Sequence, residues 1–220
     1  MHILLTRPLE DSHNLILKFQ SLGHKVSHLP LIRIEKVKYE NLNFTLFAGI
    51  IFTSSNAIKH LDLENIDKKI DCFCVGSATE TAAKSLGFQN IYAANGNVNN
   101  LKEIILQNFE PSKGKLLYVS GETISIDLDK ELILSGYNIK RIVNYRAIKN
   151  EKFNLELIET IKQKMPDIVY VYSQNSAISF LNLIKNYSLQ NLCMNTNLMC
   201  IGEKTSSILN EIKWKKIFLF

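Results

Sequence analysis

Phe73-Cys74-Val75-Gly76-Ser77-Ala78-Thr79 returns later in the chain as Met199-Cys200-Ile201-Gly202-Glu203-Lys204-Thr205. Both stretches read apolar, Cys, branched aliphatic, Gly, two variable residues, Thr. Each starts as a short buried strand, turns at glycine and enters a helical pattern. Upstream of each lies a second matched pair, Phe52-Thr53-Ser54-Ser55-Asn56-Ala57-Ile58 and Tyr172-Ser173-Gln174-Asn175-Ser176-Ala177-Ile178. One unit is written twice. Two copies predict two similar lobes with a cleft between them.

Around these anchors strands and helices alternate. The first copy opens with a strand at 2–5 and a helix whose Leu15, Ile16, Phe19 and Leu22 share a face and which Gly23 ends. A long extended run follows, from Lys25 to about Tyr39. Strands are expected at 48–52, 71–75 and 91–93, and helices from about Ser55, at 79–86 and at 99–108. The second copy repeats the order. It has strands at 115–120, 138–149, 167–172, 198–201 and 216–220, and helices at 127–134, 155–164, 176–186 and 205–212. No counterpart of helix 99–108 follows its last strand. Such alternation predicts an α/β fold with parallel sheets. The runs 25–39 and 138–149 exceed the usual five or six residues and are read as strands that leave one sheet and travel to another body, the candidates for the interdomain connection.

The composition narrows the class. The chain has 220 residues, 46% of them hydrophobic and 21% charged, with 26 Lys and Arg against 21 Asp and Glu for a net charge of +5. The positive charge is spread along the chain, without the basic stripe and interleaved aromatics of a nucleic-acid binder. No apolar run is long enough for a bilayer span. Met1-His2-Ile3-Leu4-Leu5-Thr6-Arg7-Pro8 lacks the features of a secretory leader and reads as a strand, so a cytoplasmic location is expected. Cys72, Cys74, Cys193 and Cys200 are read as buried small hydrophobes in a reducing compartment. Cys72 and Cys74 are read as facing opposite sides of their strand, which argues against a shared metal. His2, His13, His24, His28 and His60 form no ligand-spaced pair, and no metal or cofactor is expected.

The polar residues gather where loops follow strands. In parallel α/β sheets that edge is the ligand side. It carries Thr6 and Arg7; Thr53, Ser54, Ser55 and Asn56; Gly76 and Thr79; Ser120, Gly121 and Thr123; Ser173, Asn175 and Ser176; and Gly202, Lys204 and Thr205. Ser, Thr and Asn at each place are also ordinary helix caps. As a set they point to an anion. One helix N-terminus contributes about 0.3–1 kcal/mol and a charge-assisted hydrogen bond about 1.5–3 kcal/mol, so several together can hold a polyanion. The sequence has no G-x-G-x-x-G, no phosphate-binding G-x-x-x-x-G-K-[ST] and no G-x-S-x-G elbow. No carboxylate pair stands out at the strand ends. Such a site binds and positions.

These motifs, in this order, resemble uroporphyrinogen-III synthase. The resemblance runs nearly end to end. It rests on Leu4-Leu5-Thr6-Arg7-Pro8, on Ile51-Phe52-Thr53-Ser54-Ser55-Asn56-Ala57, on Gly76-x-x-Thr79 and Asn144-Tyr145-Arg146, and on Ser173-x-x-Ser176-Ala177 and Gly202-x-x-Thr205. It implies two similar parallel-sheet α/β lobes joined by a two-stranded β linker, with a cleft between them: a discontinuous first lobe, residues 1–36 with 149–220, and a second lobe of residues 37–148. It places the family's cleft tyrosine on Tyr145, as the catalytic candidate, and its cleft threonines on Thr79 and Thr205. The family's Ser-Pro-Ser is altered here to Ser173-Gln174-Asn175-Ser176, and its C-terminal helix has no counterpart. The implied substrate is hydroxymethylbilane, a linear tetrapyrrole with acetate and propionate groups. The implied product is uroporphyrinogen III, with the last ring inverted. Ring closure also proceeds without an enzyme to the uninverted isomer, so the enzyme's task is orientation. A monomer is expected, with room for a transient contact to the preceding pathway enzyme and with neither nucleic acid nor membrane as partner.

Two other readings stay open at this point. One is a non-enzymatic two-lobe binding protein for a small polyanion. The other is a pair of receiver-like domains, against which the Thr53-Ser54 and Ser173 strand ends count because that fold needs an acidic pocket.

Overall fold

The computed structural model describes residues 1–62, 66–150 and 153–220. The chain opens with β1 (His2–Leu5), α1 (Leu9–Ser21), β2 (Lys25–His28) and β3 (Ile32–Lys36). It continues through β4 (Phe47–Phe52), α2 (Ser55–Lys59), β5 (Asp71–Val75), α3 (Ser77–Ser85), β6 (Asn90–Ala94) and α4 (Val98–Asn108). Then come β7 (Lys115–Gly121), α5 (Leu128–Leu134), β8 (Ile139–Lys149) and α6 (Leu155–Gln163). The last elements are β9 (Ile168–Val171), α7 (Gln174–Asn186), α8 (Gln190–Cys193), β10 (Asn197–Cys200), α9 (Glu203–Leu209) and β11 (Lys216–Leu219).

The chain forms two compact units, Met1–Arg33 with Ile148–Phe220, and Ile34–Ala147. It passes from one to the other within β3 and again within β8. Unit 1 is built on a five-stranded sheet of order β11-β10-β9-β1-β2. Its strand pairs are parallel throughout. The six-stranded sheet has the order β3-β8-β7-β4-β5-β6, and from β8 to β6 every pair is parallel.

Burial on both faces of the second sheet explains its near-continuous apolar strands. Side chains alternate across the sheet with period two. Ile50 and Phe52, Cys72 and Cys74, and Leu117 and Val119 pack one core with α2 and α3. Ile51, Phe73, Leu116 and Tyr118 pack the other with Leu101 and Ile105 of α4 and Leu128 and Leu132 of α5. Unit 1 gathers Leu4, Val169, Val171, Leu198 and Cys200 against α6, α7 and α9.

Two expectations are corrected here. Residues 25–39 are not one strand. The run breaks after His28 at Leu29-Pro30-Leu31, because Pro30 has no N–H for a ladder. The N–H groups of Leu29 and Leu31 still donate to the carbonyls of Leu5 and Thr6, at 2.9 and 3.1 Å. Past Leu31 the chain joins the other sheet beside β8. Only the second long run, β8, is a single strand. The second correction concerns Cys72 and Cys74. Residues two apart on a strand share a face, and both thiols lie in the same core, fully buried. All four cysteines are free.

Candidate functional site

In an open parallel sheet the ligand crevice forms where the strand order reverses. In the six-stranded sheet the chain runs outward from β4 to β5 and β6, then returns to place β7 on the other side of β4. The reversal lies between the carboxyl ends of β4 and β7. A pocket of about 160 Å³ opens there, bordered by Thr53, Tyr118, Gly121 and Tyr145. Val98 and the loop residues Thr123, Ile124 and Ser125 complete it. No lining side chain carries a charge.

Tyr145 reaches this pocket because β8 has one residue more than β7 at this point. Ser120 is opposite Val143, but Gly121 is opposite Tyr145. The extra residue, Asn144, makes a bulge, a device that re-aims side chains beside functional sites. Asn144 is fully buried. Its side-chain amide donates to the Ala57 carbonyl of α2 at 2.7 Å, and its own carbonyl accepts from Val37 N–H at 2.8 Å. The Tyr145 carbonyl accepts from Glu122 N–H at 3.0 Å. Its ring covers Gly121 so closely that a Cβ there would require the ring to shift. The His60 ring lies 6.4 Å from it, centroid to centroid.

Two further hydroxyls face each other in the pocket. Thr53 Oγ1 and Tyr118 Oη are 3.3 Å apart. Burial pushes the Tyr118 phenol above its ordinary value, while the Thr53 hydrogen bond and the Arg141 cation oppose that rise. Arg141 on β8 lies 6.0 Å from the centre of the Tyr118 ring. It also donates from Nε to Ser120 Oγ at 2.8 Å and from Nη2 to the Gly121 carbonyl at 3.1 Å. Ser120 is fully buried, so its hydroxyl is spent on this clamp at the end of β7.

The remaining expected residues of unit 2 lie along the same edge. Ser54 caps α2, accepting from Asn56 N–H at 3.2 Å, an arrangement that stabilises a helix by about 1 kcal/mol. Ser55 and Asn56 are half-buried in its first turn. Gly76 precedes α3 with φ +80° and ψ 152°. Thr79 is buried in the first turn of that helix.

Unit 1 has its own reversal, between β1 and β9. Thr6 is fully buried there and donates its hydroxyl to the Tyr170 carbonyl at 2.6 Å. The Arg7 guanidinium stands 4.8 Å over the Tyr172 ring and 3.4 Å from the Asp11 carboxylate. Burial pushes the Tyr172 phenol up to about 12, with the Arg7 charge working against it. Phe220 packs edge-on to the same ring, at 5.3 Å. Ser173 caps α7, accepting from Ser176 N–H at 3.1 Å, and its hydroxyl lies 2.9 Å from that of the buried Ser176. Asn175 is exposed in the first turn. Gly202 precedes α9 with φ +74° and ψ 170°, nearly the backbone of Gly76. Thr205 is buried and Lys204 exposed.

A family model described as uroporphyrinogen-III synthase HemD matches residues 14–218. The chain belongs to the uroporphyrinogen-III synthase family. Among solved structures it is similar to the uroporphyrinogen-III synthetase of Helicobacter pylori, at 22% identity and TM-score 0.65, over 98% of this chain and 91% of that one. It is also similar to a mutant uroporphyrinogen III synthase from the extremely thermophilic bacterium Thermus thermophilus, at 15% identity and TM-score 0.55, over 99% of this chain and 92% of that one. At such identities the likeness speaks to the fold. No curated protein sequence matches the chain.

Tyr118 at the β4–β7 pocket, Arg141 beside it and Tyr172 beside Arg7 in unit 1 are residues that the sequence reading did not single out. Tyr118 reads as one more apolar residue of β7, and Arg141 as a charge on an extended run. Their signal was positional. Each becomes visible once the strand reversal is known, because only residues near that reversal share its crevice. Among the described residues no three His, Cys, Asp or Glu side chains gather as metal ligands do. Nor is any helix among them long and apolar enough to cross a membrane.

Proposed function

We propose that this chain converts hydroxymethylbilane to uroporphyrinogen III, closing the tetrapyrrole with inversion of the last ring. Family membership over nearly the whole chain supports this reading. The observation that carries it to a site is the composition of the pocket at the β4–β7 reversal. Five hydroxyl side chains, of Thr53, Tyr118, Thr123, Ser125 and Tyr145, border it without a carboxylate, imidazole or amine. Such walls suit a reaction whose substrate is reactive by itself and whose outcome depends on geometry.

The substrate's hydroxymethyl carbon loses its hydroxyl as the pyrrole nitrogen supplies the electron pair. The departing oxygen takes up a proton and leaves as water. In this reading Tyr145 donates a hydrogen bond to that oxygen. The substituted carbon of the last ring then attacks the electron-poor methylene carbon left behind, forming a spiro intermediate that reopens and closes inverted. In unit 2 the helix starts at Ser54 and Gly76, and in unit 1 those at Ser173 and Gly202 with Arg7 and Lys204, are the groups suited to carboxylates. The binding role of Thr6, Ser120 and Ser176 is indirect in this scheme, since their hydroxyls are engaged inside the protein. The four free thiols fit a reducing, cytoplasmic compartment, and we expect a monomer, which sedimentation would test.

The assay is direct. The protein is incubated with fresh hydroxymethylbilane, the product is oxidised and its isomers are separated. Isomer III is expected. Isomer I alone, at the spontaneous rate, would leave only a polyanion-binding protein.

A further inference from the structure

The pocket at the β4–β7 reversal has a size that limits what it can take. Its volume is about 160 Å³. An apolar cavity of about 150 Å³ accepts one benzene. The space therefore matches a single five-membered aromatic ring with a small substituent, and two linked rings exceed it. Its lining fits such a ring as well. Tyr118 and Tyr145 offer aromatic surface, and Val98 and Ile124 offer aliphatic surface.

The Thr53–Tyr118 pair supplies the polar point. Two hydroxyls hold two protons, and their mutual bond at 3.3 Å uses one. Whichever group donates, one O–H and several lone pairs remain for a ligand. A pyrrole N–H is a donor that needs one acceptor, and a hydroxyl oxygen provides it. The raised phenol value keeps Tyr118 protonated at neutral pH, so the pair stays uncharged and leaves the seat neutral. Carboxylate arms would then have to point out of the pocket, because no cation lines it.

We infer that this pocket seats one terminal pyrrole of the linear substrate, the ring bearing the hydroxymethyl group, and that the Thr53–Tyr118 pair orients it by accepting from its N–H. The choice of ring rests on the functional reading above, in which Tyr145 meets the departing hydroxyl. Tyr118 and Thr53 act here as positioning residues. The remaining three rings lie outside the pocket.

The test uses the full chain and a monopyrrole carrying one acetate and one propionate, titrated by calorimetry. Glutarate serves as a ring-free dicarboxylate control. Wild type is expected to bind the monopyrrole more tightly than glutarate. Val98→Phe, which fills the pocket without touching a hydroxyl, is expected to weaken monopyrrole binding by about tenfold or more. Thr53→Val keeps the side-chain shape, removes one of the two acceptor hydroxyls and breaks the pair. It is expected to weaken binding and to raise the share of isomer I while the thermal midpoint stays near wild type. Equal binding of the monopyrrole by wild type and Val98→Phe overturns the seat. Should Val98→Phe fail to fold, unchanged binding and isomer ratio in Thr53→Val overturn it instead. Wild type that forms isomer III yet does not bind the monopyrrole also refutes the seat and leaves the synthase reading intact. Wild type that forms only isomer I refutes the synthase reading, and the binding arms still decide whether a single ring is seated.

Discussion

A Cβ built on Gly121 would stand 2.7 Å from Cζ of Tyr145 and 3.0 Å from its hydroxyl oxygen. Real atoms do not approach so closely, so Gly121→Ala must push the Tyr145 ring aside. The ring tip is the mobile end of its side chain and can yield cheaply. Stability should change little, while the hydroxyl moves by a fraction of an ångström to an ångström. Displacements of that order cost up to about 100-fold in rate. Gly121→Ala is therefore expected to lower kcat and to shift product toward isomer I. Tyr145→Phe should do the same with the ring left in place. Unchanged rate and isomer ratio in Tyr145→Phe would remove the hydroxyl from the mechanism.

Gly76 and Gly202 share a backbone conformation that is almost confined to glycine, with φ near +80° and ψ beyond 150°. No heavy atom lies within 4 Å of a Cβ at either site. Gly76→Ala and Gly202→Ala thus isolate backbone strain from crowding. Each is expected to destabilise by about 1–3 kcal/mol, measured by urea unfolding. A cost near zero at either position would mean that the turn relaxes to an ordinary conformation.

Asn144 holds the bulge of β8 to α2 through the Ala57 carbonyl. Asn144→Ala leaves that buried carbonyl without its partner. A loss of about 1–3 kcal/mol is expected, together with a change in isomer ratio, because the bulge sets the direction of Tyr145. Loss of stability with the isomer ratio intact would confine Asn144 to a structural role.

The imidazole of His2 is nearly inaccessible and shares a 2.8 Å hydrogen bond with Ser27. Burial holds its pKa below the ordinary 6.5, helped by the Lys25 charge and opposed by Asp167. The unfolded chain therefore takes up this proton first as pH falls. The stabilisation is complete above about pH 6.5 and is lost as pH drops through the folded value. Urea midpoints measured from pH 7.5 down to 5 should fall, and His2→Gln should flatten part of that slope.

Much of the fold was legible because its signals were local. The glycines at 23, 76, 136 and 202, all with positive φ, end or begin helices wherever the sequence placed them. Buried strands such as β5 showed as short apolar runs. Other features depend on partners far along the chain. The break at Pro30 needs the carbonyls of Leu5 and Thr6 to explain it. The bulge at Asn144 exists only against β7. The places of Tyr118 and Arg141 beside the β4–β7 reversal follow from strand order, which no local pattern encodes. Thr6 and Ser120 looked like ligand hydroxyls in sequence, and burial turned them inward.

The strand order also dictates a timetable for synthesis. β1 is made long before β9, with which it pairs, since Thr6 and Tyr170 are 164 residues apart. At about 5–20 residues per second, β1 waits on the order of ten seconds on the ribosome for that neighbour. Unit 2 is contiguous from Ile34 to Ala147 and can close while Leu4 and Leu5 are still unpaired on one side. Unit 2 can therefore be complete before unit 1, whose β1 keeps one edge unpaired until β9 is made.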